Sequence, residues 1–216
     1  MIVTIDGPAG SGKSTAARGL AERLGFEFLD TGAMYRAVGL HCLQQRTDPS
    51  NAESAAEIAR HVDISFPGNR VLTNGVDVTE AIRSPDVTEA ASIVAANPRV
   101  RAAMVALQRK LAAGRDIVCE GRDQGTVVFP HAECKFFLTA DPRERARRRH
   151  NELAAQGNDS SVEEILEQLR GRDRRDADRP VAPLKPADDA VQVDTSRLTA
   201  DEVITLLEQT VRAADT

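Results

Sequence analysis

The 216-residue sequence predicts an α/β fold built on a parallel sheet, and three observations carry that prediction. Short apolar runs of strand length alternate with helix-length periodic segments. A glycine-rich loop, Gly7-x4-Gly12-Lys13-Ser14, follows the first run directly. One segment, between His61 and about Ala91, breaks the rhythm with turn signals of its own. Alternation of this kind builds βαβ units and gathers ligands beyond the C-terminal ends of the strands.

Taken in order, the β-branched run Ile2 to Ile5 is the first buried strand, and a helical pattern from Thr15 to Leu24 follows the loop. Phe26 to Leu29 is the second strand. Asp30-Thr-Gly-Ala-Met-Tyr-Arg36 then opens a helix in which Thr31 can serve as the cap, with Tyr35 and Arg36 one turn further on. A small substrate could meet all three residues, although this segment standing alone reads rather as an ordinary capped helix with a surface arginine. In the departing segment, Asp63-Ile-Ser-Phe, Arg70-Val-Leu-Thr and Val76-Asp-Val78 are separated by Pro67-Gly-Asn and Asn74-Gly75. Asn-Gly between apolar-bearing runs is a hairpin signal, so a small antiparallel sheet is expected as an insert.

Helical patterns resume at Arg99 to Ala113, Pro142 to Ala155, Val162 to Asp176 and Ala200 to Ala213. Strand candidates stand at Ile117 to Cys119, Phe136 to Leu138 and Val191 to Val193. Gly157-Asn-Asp-Ser reads as a mobile connection.

The loop after the first strand has the chemistry of a phosphate cradle. Successive backbone N–H groups of Gly7, Pro8, Ala9, Gly10, Ser11 and Gly12, proline excepted, can wrap a triphosphate where side chains would obstruct it. Lys13 adds a mobile positive charge against the β- and γ-phosphates, and Ser14 offers a hydroxyl to Mg²⁺. The third strand candidate ends in Glu120, the place of a second acidic group near a nucleotide-bound Mg²⁺, and presents Arg122 and Asp123 between two glycines. Two arginine-rich stretches follow: Arg143, Arg145, Arg147, Arg148 and Arg149, then Arg170, Arg172, Arg174, Arg175 and Arg179. In the second, Arg172, Asp176 and Arg179 are spaced four and three apart, which places them on one helix face. Guanidinium forks match the charge that phosphoryl transfer spreads over equatorial oxygens, while at least half of these arginines read as a solvated surface.

Composition bounds the rest. A net charge of −5 argues against nonspecific nucleic-acid binding. No run approaches the roughly 18 apolar residues of a membrane helix, and the N-terminus enters a strand without a charged leader, so a cytoplasmic protein is expected. Cys42, Cys119 and Cys134 lie in apolar contexts and His41, His61, His131 and His150 form no ligand pattern, so both sets read as packing and surface residues.

Five blocks in order resemble the bacterial cytidylate kinase family, nucleoside monophosphate kinases related to adenylate kinase. They are Ile5-Asp-Gly-Pro-Ala-Gly-Ser-Gly-Lys-Ser-Thr15, Leu29-Asp-Thr-Gly-Ala-Met-Tyr-Arg36, Ala91-Ser-Ile-Val-Ala-Ala-Asn-Pro-Arg-Val-Arg101, Gly121-Arg-Asp-Gln-Gly-Thr-Val-Val-Phe-Pro130 and Arg172-Asp-Arg-Arg-Asp-Ala-Asp-Arg-Pro-Val-Ala-Pro-Leu184. The resemblance implies a P-loop NTPase fold with a five-stranded parallel sheet. It divides the chain into a core of residues 1–61, 92–148 and 162–216, a monophosphate-binding insert at 62–91 and a lid at 149–161. It implies transfer of the γ-phosphate of ATP to CMP or dCMP by a monomer. Carried over by motif, Gly7 to Thr15 hold ATP, and Arg148 or Arg149 touches it from the lid. Arg36, Arg122 and Arg179 take the acceptor phosphate; Thr31, Arg172 and Asp176 meet the sugar; Ser92, Arg101 and Asp123 meet the cytosine. Thr31 stands where many relatives have serine, Glu120 where aspartate is commoner, and Ser14 where some have glycine, so either Ser14 or Thr15 can face the metal. A GTPase-like switch would carry an Asn-Lys-x-Asp motif, which the chain lacks.

Overall fold

The computed structural model describes residues 1–155, 157 and 159–214. Residues 156 and 158, which fall in the expected lid and connection, lie outside the described residues, as do 215 and 216.

Among the described residues five strands form one sheet: β1 (Ile2–Asp6), β2 (Glu27–Asp30), β6 (Ile117–Gly121), β7 (Cys134–Thr139) and β8 (Val191–Asp194), in the order β2-β6-β1-β7-β8. β1 is central, parallel to β6 and β7, with Ile5 opposite Glu120 and Phe136, and Asp6 opposite Gly121 and Phe137. β7 runs parallel to β8. All five expected strands are present, each within a few residues of its apolar run, and the ends of β1 and β6 lie side by side.

The chain divides into two compact units, residues 1–28 with the chain from 114 onward, and Leu29–Ala113. The first is organised by the sheet. Val3, Ile5, Val118, Phe136 and Leu138 are buried with Ala16, Ala17 and Leu20 of α1 (Lys13–Leu24) and Val203, Leu207 and Val211 of α8 (Ala200–Ala214). Burial of such side chains stabilises by about 1.5–3 kcal/mol each for the larger ones. A second cluster joins Ala9 of the loop to Ala146 of α6 (Pro142–Ala154) and Ile165, Leu166 and Leu169 of α7 (Val162–Ala177). α7 opens on a capping box in which Ser161 and Glu164 exchange hydrogen bonds.

The second unit is helical and carries a small sheet. α2 (Thr31–Gln44) packs on α4 (Pro85–Val94) and α3 (Ala52–His61) on α5 (Pro98–Ala112), and between α3 and α4 in the chain run the antiparallel strands β3 (Ile64–Ser65), β4 (Leu72–Thr73) and β5 (Val76–Asp77). The Asn74-Gly75 turn is as the sequence predicts, with both residues at positive φ, 49° and 78°. Gly39 lets α2 approach α4, because a Cβ there would stand 2.9 Å from the Ala91 nitrogen. α3 and α4 were not separately anticipated: AESAAEIARH is alanine-rich and its apolar stripe is thin.

Two local expectations are corrected. The cap of α2 is Asp30, whose side chain accepts from the Ala33 N–H at 2.8 Å, and Thr31 is the first helical residue. Arg179 does not share a helix face with Arg172 and Asp176, since α7 ends at Ala177. Pro180 disfavours a helical conformation at Arg179.

No described helix is long and apolar enough to cross a membrane. Cys42, Cys119 and Cys134 are buried free thiols.

Candidate active site

The loop owes its shape to glycine. Gly7, at φ 146°, leaves β1 against the Leu138 carbonyl, where any Cβ would collide with that oxygen. Gly10 and Gly12 are also at positive φ, and α1 begins at Lys13. The Lys13 side chain is buried, and its Nζ donates to the Pro8 carbonyl at 2.7 Å. Burial and the neighbouring Arg122 and Arg172 lower the Lys13 pKa to about 7, against the pull of Glu120 and Asp6. Ser14 and Thr15, next along α1, are exposed.

Two carboxylates flank this lysine at the strand ends. Glu120 is buried on β6. Asp6, which the sequence reading did not single out, accepts the Gln124 N–H at 2.9 Å on one oxygen and the Gly125 N–H at 2.8 Å on the other. It thereby fastens β1 to the turn that follows Asp123. Burial raises the Asp6 pKa to about 6, although those two amides and Lys13 oppose the shift. Its position, the last residue of a buried strand before the loop, was the available signal.

Beyond β6 the structure brings Arg122, Asp176 and Arg179 together. Arg122 Nε donates to one Asp176 oxygen at 2.9 Å, and Arg179 pairs with the other. Arg122 also donates to the Gly121 carbonyl at 3.1 Å. Burial pushes the Asp176 carboxyl up, but Arg122, Arg179 and Arg172 together hold it below the ordinary range. Asp123 is buried, and its carbonyl receives the Val127 and Val128 N–H groups. Arg148 donates to Thr195 Oγ1 at 3.1 Å and to the Thr195 carbonyl at 2.6 Å. The Thr195 hydroxyl is in turn 3.1 Å from the Ser11 carbonyl of the loop. Arg149 pairs with Glu152 at 3.0 Å.

In the second unit, Arg36 pairs at 3.0 Å with Asp30, the residue that also caps α2, and Thr31 is buried beside that cap. The Arg101 guanidinium lies 5.6 Å from the Tyr35 ring centre and donates to the Ala95 carbonyl at 3.3 Å. Arg101 and Ser92 are both buried. A buried arginine packed on an aromatic face is held with its charge aimed in one direction, which suits it to reading a polar ring.

Among the described residues no group of three or more His, Cys, Asp or Glu forms a metal cage. Mg²⁺ needs none in phosphate chemistry, since one or two carboxylates, waters and the phosphates complete its shell. The oxygen donors Glu120 and Ser14, flanking the phosphate loop, fit that cation.

The family model for cytidylate kinase matches residues 3–213. The chain is similar to a cytidylate kinase of Rhodopirellula baltica, 52% identical over 94% of this chain and 89% of that one. It is also similar to "Cytidylate kinase 1" of Haemophilus influenzae, at 48% over 94% and 90%, and to a cytidylate kinase of Caldanaerobacter subterraneus, at 46% over 97% and 94%. Among solved structures, an uncharacterised protein from Eubacterium ventriosum shares the fold with a TM-score of 0.54 at 11% identity, covering 100% and 99% of the two chains.

Proposed function

This chain belongs to the cytidylate kinase family, and from that premise we propose how its residues divide the transfer of the γ-phosphate of ATP to CMP or dCMP. It is an ATP-dependent nucleoside monophosphate kinase, producing ADP and CDP or dCDP. The observation that carries the assignment of roles is the set of buried Lys13, Glu120, Asp176 and Arg179 with the part-buried Arg122, where Arg122 and Arg179 share the Asp176 carboxylate.

We assign the loop from Gly7 to Thr15 to the ATP phosphates, with Lys13 against the β- and γ-groups and Arg148 as a further ATP contact. Glu120 and the Ser14 hydroxyl would hold Mg²⁺, which would supply positive charge to neutralise the phosphates during transfer. Arg36, Arg122 and Arg179 take the acceptor phosphate. Thr31, Arg172 and Asp176 meet the sugar, Ser92, Arg101 and Asp123 read the cytosine, and Tyr35 supports Arg101. We further assign residues 62–91 to the monophosphate-binding insert and 149–161 to the lid, and take the enzyme to work as a cytoplasmic monomer on small molecules.

An anionic oxygen of the CMP phosphate attacks the γ-phosphorus, the bond to the ADP oxygen breaks, and no covalent enzyme intermediate is required. The attacking oxygen already carries charge, so no general base is needed; the chain's task is to orient both phosphates and neutralise them.

Lys13→Ala should lower turnover on the order of 10³-fold or more with CMP and ATP saturating, while thermal melts show a folded protein. Near-normal turnover in that variant would remove the loop from the mechanism.

A further inference from the structure

Ala9 is held at both of its backbone polar groups by side chains from two other helices. Arg145 of α6 donates from its guanidinium to the Ala9 carbonyl at 2.8 Å, and the Ala9 N–H donates to the Asp173 carboxylate of α7 at 3.2 Å. Arg145 and Asp173 pair with each other at 2.6 Å, and Arg145 Nε donates to the Ala140 carbonyl at 3.1 Å. The Arg145 side chain is buried, 6% exposed. The loop is pressed onto α6 here, since a Cβ on Gly10 would stand 3.2 Å from the Cβ of Arg145.

The clamp has a consequence for ATP. Pro8 has no N–H and the Ala9 N–H is committed to Asp173, so neither of these two residues offers an amide to phosphate. Rotating the Ala9 peptide would turn Gly10 and the amides after it, and both bonds to Ala9 oppose that rotation. Asp173 also lends its charge to Arg122, on the acceptor side.

We propose that the Arg145–Asp173 pair is a positioning device for the phosphate donor. It presets the loop for ATP and ties that setting to the helices flanking the lid. Neither residue touches the reacting atoms; both act through Ala9. The inference rests on the loop being the ATP site.

The test measures KM for ATP and for CMP separately in Asp173→Ala and Asp173→Asn, with thermal melts. Asp173→Ala should raise the ATP KM about tenfold and leave the CMP KM within about twofold. Asp173→Asn keeps an acceptor for the Ala9 N–H but loses the ion pair, so its ATP KM should rise only about threefold. If Asp173→Ala does not fold, the asparagine variant and Arg145→Lys carry the test with the same direction expected. An unchanged ATP KM, equal shifts in both constants, or a lowered melting temperature with normal kinetics would overturn the proposal. Lys13→Ala separates the two failures. If that variant is active the ATP-loop reading is wrong; if it is inactive while the Asp173 variants have normal kinetics, only the positioning role is wrong.

Discussion

Two buried carboxylates in the same compact unit meet opposite surroundings. Asp6, at the end of β1, is held by two backbone amides, and burial raises its pKa to about 6. Asp176, near the end of α7, is caged by Arg122 and Arg179 and held below the ordinary carboxylate range. Under the proposed assignment the contrast separates two tasks. Beside the triphosphate loop, Asp6 fastens the end of β1 through two backbone amides, one on each carboxylate oxygen. On the acceptor side, guanidiniums must be parked at a fixed spacing, and only an ionised carboxylate can hold two of them.

The strongest way to break this contrast is to remove the cage. Asp176→Ala leaves the buried Arg179 and the part-buried Arg122 without their shared partner, a loss of up to about 3–5 kcal/mol. Its kcat/KM for CMP should fall on the order of 10²-fold or more, with the ATP KM within about twofold; steady-state kinetics varying each substrate decides it. Loss confined to ATP would contradict the division.

A smaller effect sharpens it through pH. Asp6 has a folded pKa above its unfolded value of 3.8, so its contribution to stability is fully present below about 3.8 and is lost as pH rises through about 6. Asp176 has a depressed pKa, so its contribution is present above the unfolded value and is lost as pH falls below it. Urea unfolding of wild type and Asp6→Asn at pH 4 and pH 7 should show the variant's relative stability improving by about 3 kcal/mol or less between the two. Asp176→Asn, compared with wild type between pH 5 and about pH 2.5 where that loss falls, should show the opposite dependence, its relative stability improving as pH falls. Parallel pH profiles for both variants would remove the distinction.

The parts of this molecule legible in sequence are those in which backbone geometry or a short apolar run dictates residue type. The phosphate loop demands glycine where φ is positive and the chain passes Leu138, and the Asn74-Gly75 turn demands the same freedom. The five strands show as buried apolar runs. The α2 cap was misplaced by one residue because Asp30 and Thr31 are both capping types, and the end of β2 decides between them. The spacing of Arg172, Asp176 and Arg179 suggests one helix face, whereas Arg179 lies beyond the helix end and pairs with Asp176 from there. Asp6, Arg145 and Asp173 stayed hidden because their partners stand 118, 136 and 164 residues away in sequence, at Gln124 and at Ala9.

The central claim, a kinase that reads cytosine on a monophosphate, is tested most directly by ADP release against CMP, dCMP, UMP and AMP at fixed ATP and Mg²⁺. Cytosine offers an amino donor beside a ring acceptor, which a carboxylate and a guanidinium match. Uracil inverts both groups and would leave buried polar partners unpaired. CMP and dCMP should exceed UMP in kcat/KM by roughly 10²-fold or more. Equal use of CMP and UMP, or slow ATP hydrolysis indifferent to the acceptor, would contradict the account.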